Sequence, residues 1–340
     1  MGRDSRAQVI VISAGLSGLT AASELKSVQS ATTKLGPHLD IGGQWIGHGH
    51  HRITALVEKA RGTTYQTFSR GLPTIVHEGC TMSLFSLSVL LATIWLTLRE
   101  LASRMHVPRA WITLSVDKAI EKFALLEIAR HLLRLLVAVS STAELSMYSL
   151  YSHAKSIPLS GGLLTMLRTQ GGAQDRLVVE SMGITTSLLA SELPGRILTD
   201  IPVTSVSQNH ENGVTQSYHH GSSANVEKYY VRSADAPERR ALQGNTRIGV
   251  VYKAIAVFEQ PFWREGLGGE FLMLDDPACG VFDSSSPEGP GHLCFLVAGT
   301  PARQLDTLDS NVRRELLLTR LAPLLRRQVL QPVDWHEPDI

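Results

Sequence analysis

The chain has 340 residues, 43% of them hydrophobic and 19% charged, with 32 basic and 31 acidic side chains for a net charge of +1. That apolar content excludes a disordered chain, and the charge balance gives no electrostatic case for nucleic acid as the main partner. The length accommodates two domains or one large α/β unit. Three cysteines, Cys80, Cys279 and Cys294, form no CxxC pair, which speaks against a disulfide framework or a zinc site and fits a reducing, cytoplasmic setting.

In chain order, Gln8 to Ile12 is a β-branched run suited to a buried parallel strand. Ser13-Ala14-Gly15-Leu16-Ser17-Gly18 follows, then the helical Leu19 to Leu25. The apolar run is too short for a signal peptide, and none is expected. The turn reads S-x-G-x-x-G where the dinucleotide fingerprint is G-x-G-x-x-G. Gly15 lets the backbone approach a pyrophosphate, Gly18 lets helix and strand pack closely, and the phosphates sit on the helix N-terminus. Ser13 replaces the glycine that normally makes the tight turn, so it must keep a negative φ. The acidic residue expected about 20 positions on for the ribose is Asp40, which reads either as that ligand or as a loop carboxylate.

Residues 29–51 read as irregular and 52–61 as a short helix. From Gly79 to Leu98 no residue is charged. A membrane span needs about 20 apolar residues, and this run carries serines and threonines, so it reads as a buried or interfacial helix, with a true span as the weaker alternative. Long helices are expected over 83–104 and 117–139. Gly161, Gly162, Gly171 and Gly172 punctuate a loop–helix–loop stretch. Strands are expected near 197–207, 226–232, 248–258 and 292–299, and a basic amphipathic helix with a solvated face over 310–329. The architecture that follows is a dinucleotide-binding α/β domain interrupted by a mixed helix-and-strand substrate domain.

Lys253 is the one charge in the strand Gly249 to Phe258. Val251, Ile255 and Val257 share its face, with Val250, Tyr252, Ala254 and Phe258 opposite, so both faces read as buried. A buried ammonium costs several kcal/mol unless it is paired. Lys253 therefore either snorkels to an edge or is held for a purpose. His48, His50 and His51 could bind a metal, but no carboxylate or cysteine joins them and they read as a solvated loop. No G-x-S-x-G elbow supports a hydrolase.

Val9 to Leu25, Leu39-Asp40-Ile41-Gly42-Gly43-Gln44-Trp45-Ile46-Gly47 with His51-Arg52-Ile53, Gly171-Gly172-Ala173-Gln174-Asp175-Arg176, Pro202-Val203, IGVVYKAIAVFEQPFWRE over Ile248 to Glu265, and Leu330 to Trp335 together resemble the flavin-containing amine oxidases, the monoamine oxidase family. The match runs through nearly the whole chain in order. It implies an FAD-binding Rossmann-like domain, incomplete here, with an interleaved α+β substrate domain. The implied division is 1–78 and 171–235 for FAD, and 79–170 and 236–340 for the substrate. It implies FAD contacts at Ser13, Ala14, Gly15, Ser17, Gly18, Gly42, Gly43, Gln44, Trp45 and Val203. Lys253 matches a lysine that holds a water near the flavin and assists reoxidation by oxygen. Gln174 matches a substrate-orienting glutamine, with turn capping as the other reading. Leu167 reads as cavity wall or as plain core.

The family carries a second strand ending in Glu, then an Arg and a Gly-Gly-Arg turn, where this chain has only Lys26 to His38. By this match Asp40 belongs to the LDIGGQW segment instead of the ribose site. The family also continues past the position of Ile340 into its last flavin-contacting helix. Two readings of function follow. One is FAD-dependent oxidation of a small amine to an imine, then aldehyde and ammonia, with oxygen as acceptor. The other is a degenerate relative without flavin chemistry. A plain nicotinamide Rossmann protein is the weaker third, because it leaves IGVVYKAIAVFEQPFWRE unexplained.

Overall fold

The structure is a computed structural model that describes residues 30–33, 36–191, 203–209, 213–218, 231–232, 237–246 and 248–337. The strand–turn–helix expected over 8–28 lies outside them. Two compact units are present, one of residues 29–182 and 248–340, the other of 1–28 and 183–247.

The larger unit begins with a hairpin, β1 (Ser30–Thr33) and β2 (Gly36–Asp40), where an irregular stretch was expected. Then come α1 (His51–Lys59), β3 (Thr64–Gln66), β4 (Thr74–His77), β5 (Cys80–Thr81) and α2 (Leu87–Arg104). After these follow α3 (Val116–Phe123), α4 (Glu127–Ser141), α5 (Leu150–Leu159), α6 (Leu163–Leu167) and β6 (Arg176–Val178). The smaller unit holds α7 (Gly183–Ser191), β7 (Val203–Asn209), β8 (Gly213–Tyr218), β9 (Val231–Arg232) and α8 (Pro237–Asn245). In it β7 pairs antiparallel with β8 and parallel with β9. The larger unit resumes with β10 (Val251–Phe258), β11 (Glu270–Met273), β12 (Cys279–Asp283), β13 (Gly291–Ala298), α9 (Thr300–Leu305), α10 (Ser310–Leu325) and β14 (Asp334–His336).

Seven of these strands form one sheet in the order β14-β10-β13-β12-β11-β4-β5, antiparallel except where β4 meets β11. Period-two alternation assigns its faces. Val76, Phe271, Met273, Tyr252, Ala254, Ala256 and Phe258 turn to one side, where Leu317, Leu321 and Leu325 of α10 close the core. Ile75, Leu272 and Leu274 turn to the other and meet α2, α3 and α4. At the far end of that second face, Ile255, Val257 and Cys294 meet Leu39 and Trp45 instead. The strand carrying Lys253 thus has two buried faces, as its residue pattern requires.

Three expectations are corrected. The single helix over 117–139 is two, because Ala124 turns extended (φ −91°, ψ 115°) and its carbonyl accepts from Arg130 Nε at 2.8 Å. The helix at 310–329 ends at Leu325, where Arg326 takes φ +64° and a 3-10 turn follows over Arg327–Leu330. Its basic face is not wholly solvated: Arg313 is buried and donates to Glu337 at 2.6 Å. The charge-free run from Gly79 to Leu98 holds all of β5 and most of α2. No helix among the described residues is long and apolar enough to cross a membrane.

Candidate cofactor and active site

The site is built where segments distant in sequence pair. Ile46 N donates to Arg176 O at 2.8 Å and Arg176 N to Ile46 O at 3.0 Å, while His48 N donates to Gly172 O at 2.8 Å. The LDIGGQW segment and the Gly171–Arg176 segment are therefore neighbours. A Cβ on Gly172 would fall 1.9 Å from Arg168 O, so only glycine fits there. Gly171 has φ +68° and its N–H is held by Asp175 Oδ1 at 2.7 Å. A second pairing brings Leu330–Trp335 onto the Lys253 strand: Val257 faces Asp334 and Ile255 faces His336 in register.

Lys253 sits at the centre. It is 7% exposed, and Nζ donates to Asp40 O at 2.5 Å, Gly42 O at 2.7 Å and Gln44 Oε1 at 2.8 Å. An ammonium has three N–H donors, and here all three are taken. The nitrogen also lies 5.7 Å from the centre of the Trp45 ring, within cation–π range. Burial pulls the lysine pKa below its ordinary value, while Cys294 and Asp40 pull it back. Burial pushes the Cys294 thiol up to about 11 against the pull of Lys253 and Gln44. Lys253 therefore does not snorkel; it fastens the main chain on both sides of Ile41 and the amide of Gln44.

Asp40 is not a loop carboxylate. It ends β2, is buried, and its Oδ2 accepts from Met182 N at 2.8 Å. Gly42 and Gly43 lie exposed beyond it, and a Cβ on either would meet nothing within 4 Å. Trp45 packs edge-on to Phe282 at 5.6 Å and buries an Nε1–H that has no partner. A bare glycine turn held rigid from behind, next to an unpaired indole donor, suits close approach of a polar planar cofactor. These residues fit the flavin group that the resemblance implies.

Beside Lys253, a cavity of about 30 Å³ is lined by Asp40, Gln44, Tyr65, Ser284 and His292 among others. That is the scale of one water, not of a ring system. Ser284 Oγ and His292 Nε2 are buried there without partners. Burial lowers the His292 pKa to about 4. The Tyr65 hydroxyl donates to Ser284 O at 3.1 Å, and burial raises its pKa, so it stays protonated.

The other expected residues are placed as follows. Gln174 and Leu167 are half-buried on the Gly171–Arg176 loop and at the end of α6, and neither lines this cavity. Val203 opens β7, opposite Tyr218. Ser13, Ala14, Gly15, Ser17 and Gly18 lie outside the described residues. His50 Nδ1 accepts from Gly47 N at 3.0 Å, and His48 and His51 are exposed. No metal-holding group is found among the described residues.

Sequence reasoning missed the Asp283 cluster. This fully buried carboxylate takes Arg264 through two bonds of 2.6 and 2.9 Å and Trp263 Nε1 at 2.8 Å. The Trp263-Arg264 part of the quoted motif thus serves to hold a carboxylate that nothing around Asp283 advertises. Tyr65 and Ser284 carried no signal either, since each lies in a short, featureless run, and His292 only opens an expected strand.

The family model for flavin containing amine oxidoreductases matches residues 27–339. Among curated proteins, the pig flavin-containing amine oxidase B is 23% identical over 98% of this chain and 74% of its own length. Putrescine oxidase of Kocuria rosea is 25% identical over 97% and 81%. Among solved structures, cyclohexylamine oxidase from Brevibacterium oxydans superposes with a TM-score of 0.83 at 18% identity, over 96% of this chain and 83% of that one. Putrescine oxidase bound to putrescine gives 0.78 at 19%, over 96% and 83%. The expected fold is therefore the observed one, and the chain belongs to the flavin containing amine oxidoreductase family.

Proposed function

We propose that this chain binds FAD and oxidises a small amine. The observation that carries the reading is the Lys253-fastened Gly42–Gly43 turn in a member of the flavin amine oxidoreductase family. In the overall reaction a primary amine R–CH2–NH2 loses two electrons and two protons to become an imine. Water cleaves the imine to aldehyde and ammonia, and oxygen takes up the electrons and protons as hydrogen peroxide. The flavin, when bound, supplies the two-electron acceptor.

The chain's own residues bind and orient. Gly42, Gly43, Gln44 and Trp45 would hold the ring end, with main-chain groups and the Trp45 indole N–H facing it. Ser13, Ala14, Gly15, Ser17 and Gly18 would cradle the pyrophosphate, and Val203 would lie at the adenine end. Lys253 holds the turn in place. To bind a water for reoxidation, as the resemblance implies, it must release one of its three acceptors. Gln174 would orient the amine and Leu167 would form part of the wall of the substrate's space, apart from the small cavity beside Gln44. By duty, 1–78 and 171–235 serve FAD, and 79–170 and 236–340 serve the substrate. Like related putrescine oxidase, the enzyme acts on a small molecule, here in the cytoplasm, where its three cysteines, all unpaired, stay reduced.

The test is the visible spectrum of the purified, desalted chain, followed by peroxide release with a panel of primary amines and diamines. Bands near ~375 and ~450 nm, the flavin's own, together with amine-dependent peroxide, are expected. A folded protein that stays colourless with added FAD is the degenerate relative instead.

A further inference from the structure

Lys253 Nζ donates to Gln44 Oε1 at 2.8 Å. An ammonium can only donate, so the amide oxygen must face it and the amide nitrogen must face away. That nitrogen, Gln44 Nε2, is buried and has no hydrogen-bond partner among the described residues. The Cys294 sulfur beside it is a weak acceptor. Ser284 Oγ and His292 Nε2 are orphaned in the same way, and all three residues line the one small cavity. Gln44, Ser284 and His292 are 4%, 5% and 5% exposed.

Three orphaned groups could be three separate defects, each destabilising. The main chain around them argues for a common purpose. Ser284 O accepts from the Tyr65 hydroxyl at 3.1 Å, and Ser284 N donates to His292 O at 2.9 Å. His292 N donates to Ser285 Oγ at 2.8 Å, and that hydroxyl donates to the fully buried Asp283 at 2.6 Å. Both side chains are thus carried on tied backbone to the edge of the same space. The space is about 30 Å³, where one water needs roughly 10–15 Å³ and two to four polar partners. The donor count closes as well. Gln44 Nε2 donates, while a serine hydroxyl and a neutral imidazole can donate or accept, and burial keeps His292 neutral near pH 7.

We propose that this cavity is a built site for one permanent water, which bridges Gln44 to Ser284 and His292 and makes the latter two positioning residues for the Lys253 anchor. The water holds the amide with its oxygen toward Lys253. Through it, the adjoining ends of β12 and β13 brace the Gly42–Gly43 turn. The inference rests on the Lys253 anchor and not on the FAD reading, so it is tested on the flavin-free full chain.

A crystal structure at a resolution that shows ordered solvent should place one water within hydrogen-bond distance of all three atoms. Ser284→Ala should remove it, lower the melting temperature by about 2–4 °C, and quicken hydrogen exchange over Gly42–Trp45 about tenfold, with exchange over Gly291–Ala298 unchanged. His292→Gln keeps a hydrogen-bonding end and should retain the water and the slow exchange; His292→Phe should lose both. Should His292→Phe not fold, the other two variants decide. No water at the three atoms overturns the proposal. A Ser284→Ala protein as stable as wild type or more so overturns it too, since that is the effect of deleting an orphaned hydroxyl. Exchange quickened over Gly291–Ala298 as well would make the serine and histidine merely structural, and also overturns it. A chain that takes up no FAD yet shows the water and these shifts upholds this site while removing the oxidase reading.

Discussion

Two of the buried cations, Lys253 and Arg99, are held in contrasting ways. Lys253 has three oxygen acceptors at 2.5 to 2.8 Å. Arg99, 6% exposed, has none: its guanidinium lies 4.9 Å from the Trp95 ring centre and 4.6 Å from that of Trp111, and Nε and Nη2 are buried without partners. The indole faces offset the burial of Arg99 through diffuse attraction, which fixes no backbone. The lysine's directed bonds fix the main chain at Asp40 and Gly42. One cation organises a turn; the other fills space between rings. Burial costs both: it pulls the Lys253 pKa down in direction and Arg99 to about 10.

The largest expected effect follows from removing the organising cation. Lys253→Met leaves three acceptors without their donor, a loss of about 2–4 kcal/mol for orphaned buried groups, measurable as a lower denaturation midpoint. It should also weaken FAD binding at least tenfold. Lys253→Arg should not rescue it, because a planar guanidinium cannot serve three acceptors arranged around one nitrogen. If Lys253→Met slows reoxidation alone, with stability and affinity unchanged, the lysine holds a water and does not fasten the turn.

Acid sharpens the comparison next. His153, packed near Arg99, and His292, beside the Lys253 cavity, are each lowered from 6.5 to about 4, first by burial. The unfolded chain therefore takes up these protons before the folded one does. The stability they contribute is complete above pH 6.5 and is lost as pH falls toward about 4, by at most about 3 kcal/mol per histidine. His153→Gln and His292→Gln should each flatten the melting temperature profile between pH 6.5 and 4. An unchanged slope in both variants would contradict the buried, neutral assignment.

The smallest effect belongs to Arg99. Arg99→Met loses two ring contacts but no longer buries an unpaired charge, so stability should change by about 1 kcal/mol or less. The His153 pKa should rise, since the Arg99 charge is the second cause holding it down; a histidine NMR titration reads this. A loss matching that of Lys253→Met would erase the distinction between the two cations.

The sequence made the Lys253 strand legible because one charge in a β-branched run has few ways to be buried. The family segments were legible as words, and the structure brings them together as Ile46 on Arg176 and Val257 on Asp334. Other features left no trace. Ala124, Leu125 and Leu126 are all fair helix formers, so the break between α3 and α4 shows only in the tertiary bond from Arg130. Strands β4, β11 and β12 are four or five residues long and lie inside the sheet, too short and too evenly buried to alternate. Arg313 looked solvated because Glu337, its partner, lies 24 positions away. The exposed apolar stripe of α2, Leu87, Leu90, Ile94, Leu98 and Leu101, was hidden because a charge-free run gives periodicity no polar side to show.

The central claim is that Lys253 fastens a glycine turn that receives FAD. The most direct measurement is titration of flavin-free wild type and Lys253→Met with FAD, following the shift of the flavin absorbance on binding. Wild type should saturate with one FAD per chain, and the variant should bind at least tenfold more weakly while remaining folded. Equal affinity in the two proteins, or a folded wild type that produces no shift, would contradict the account.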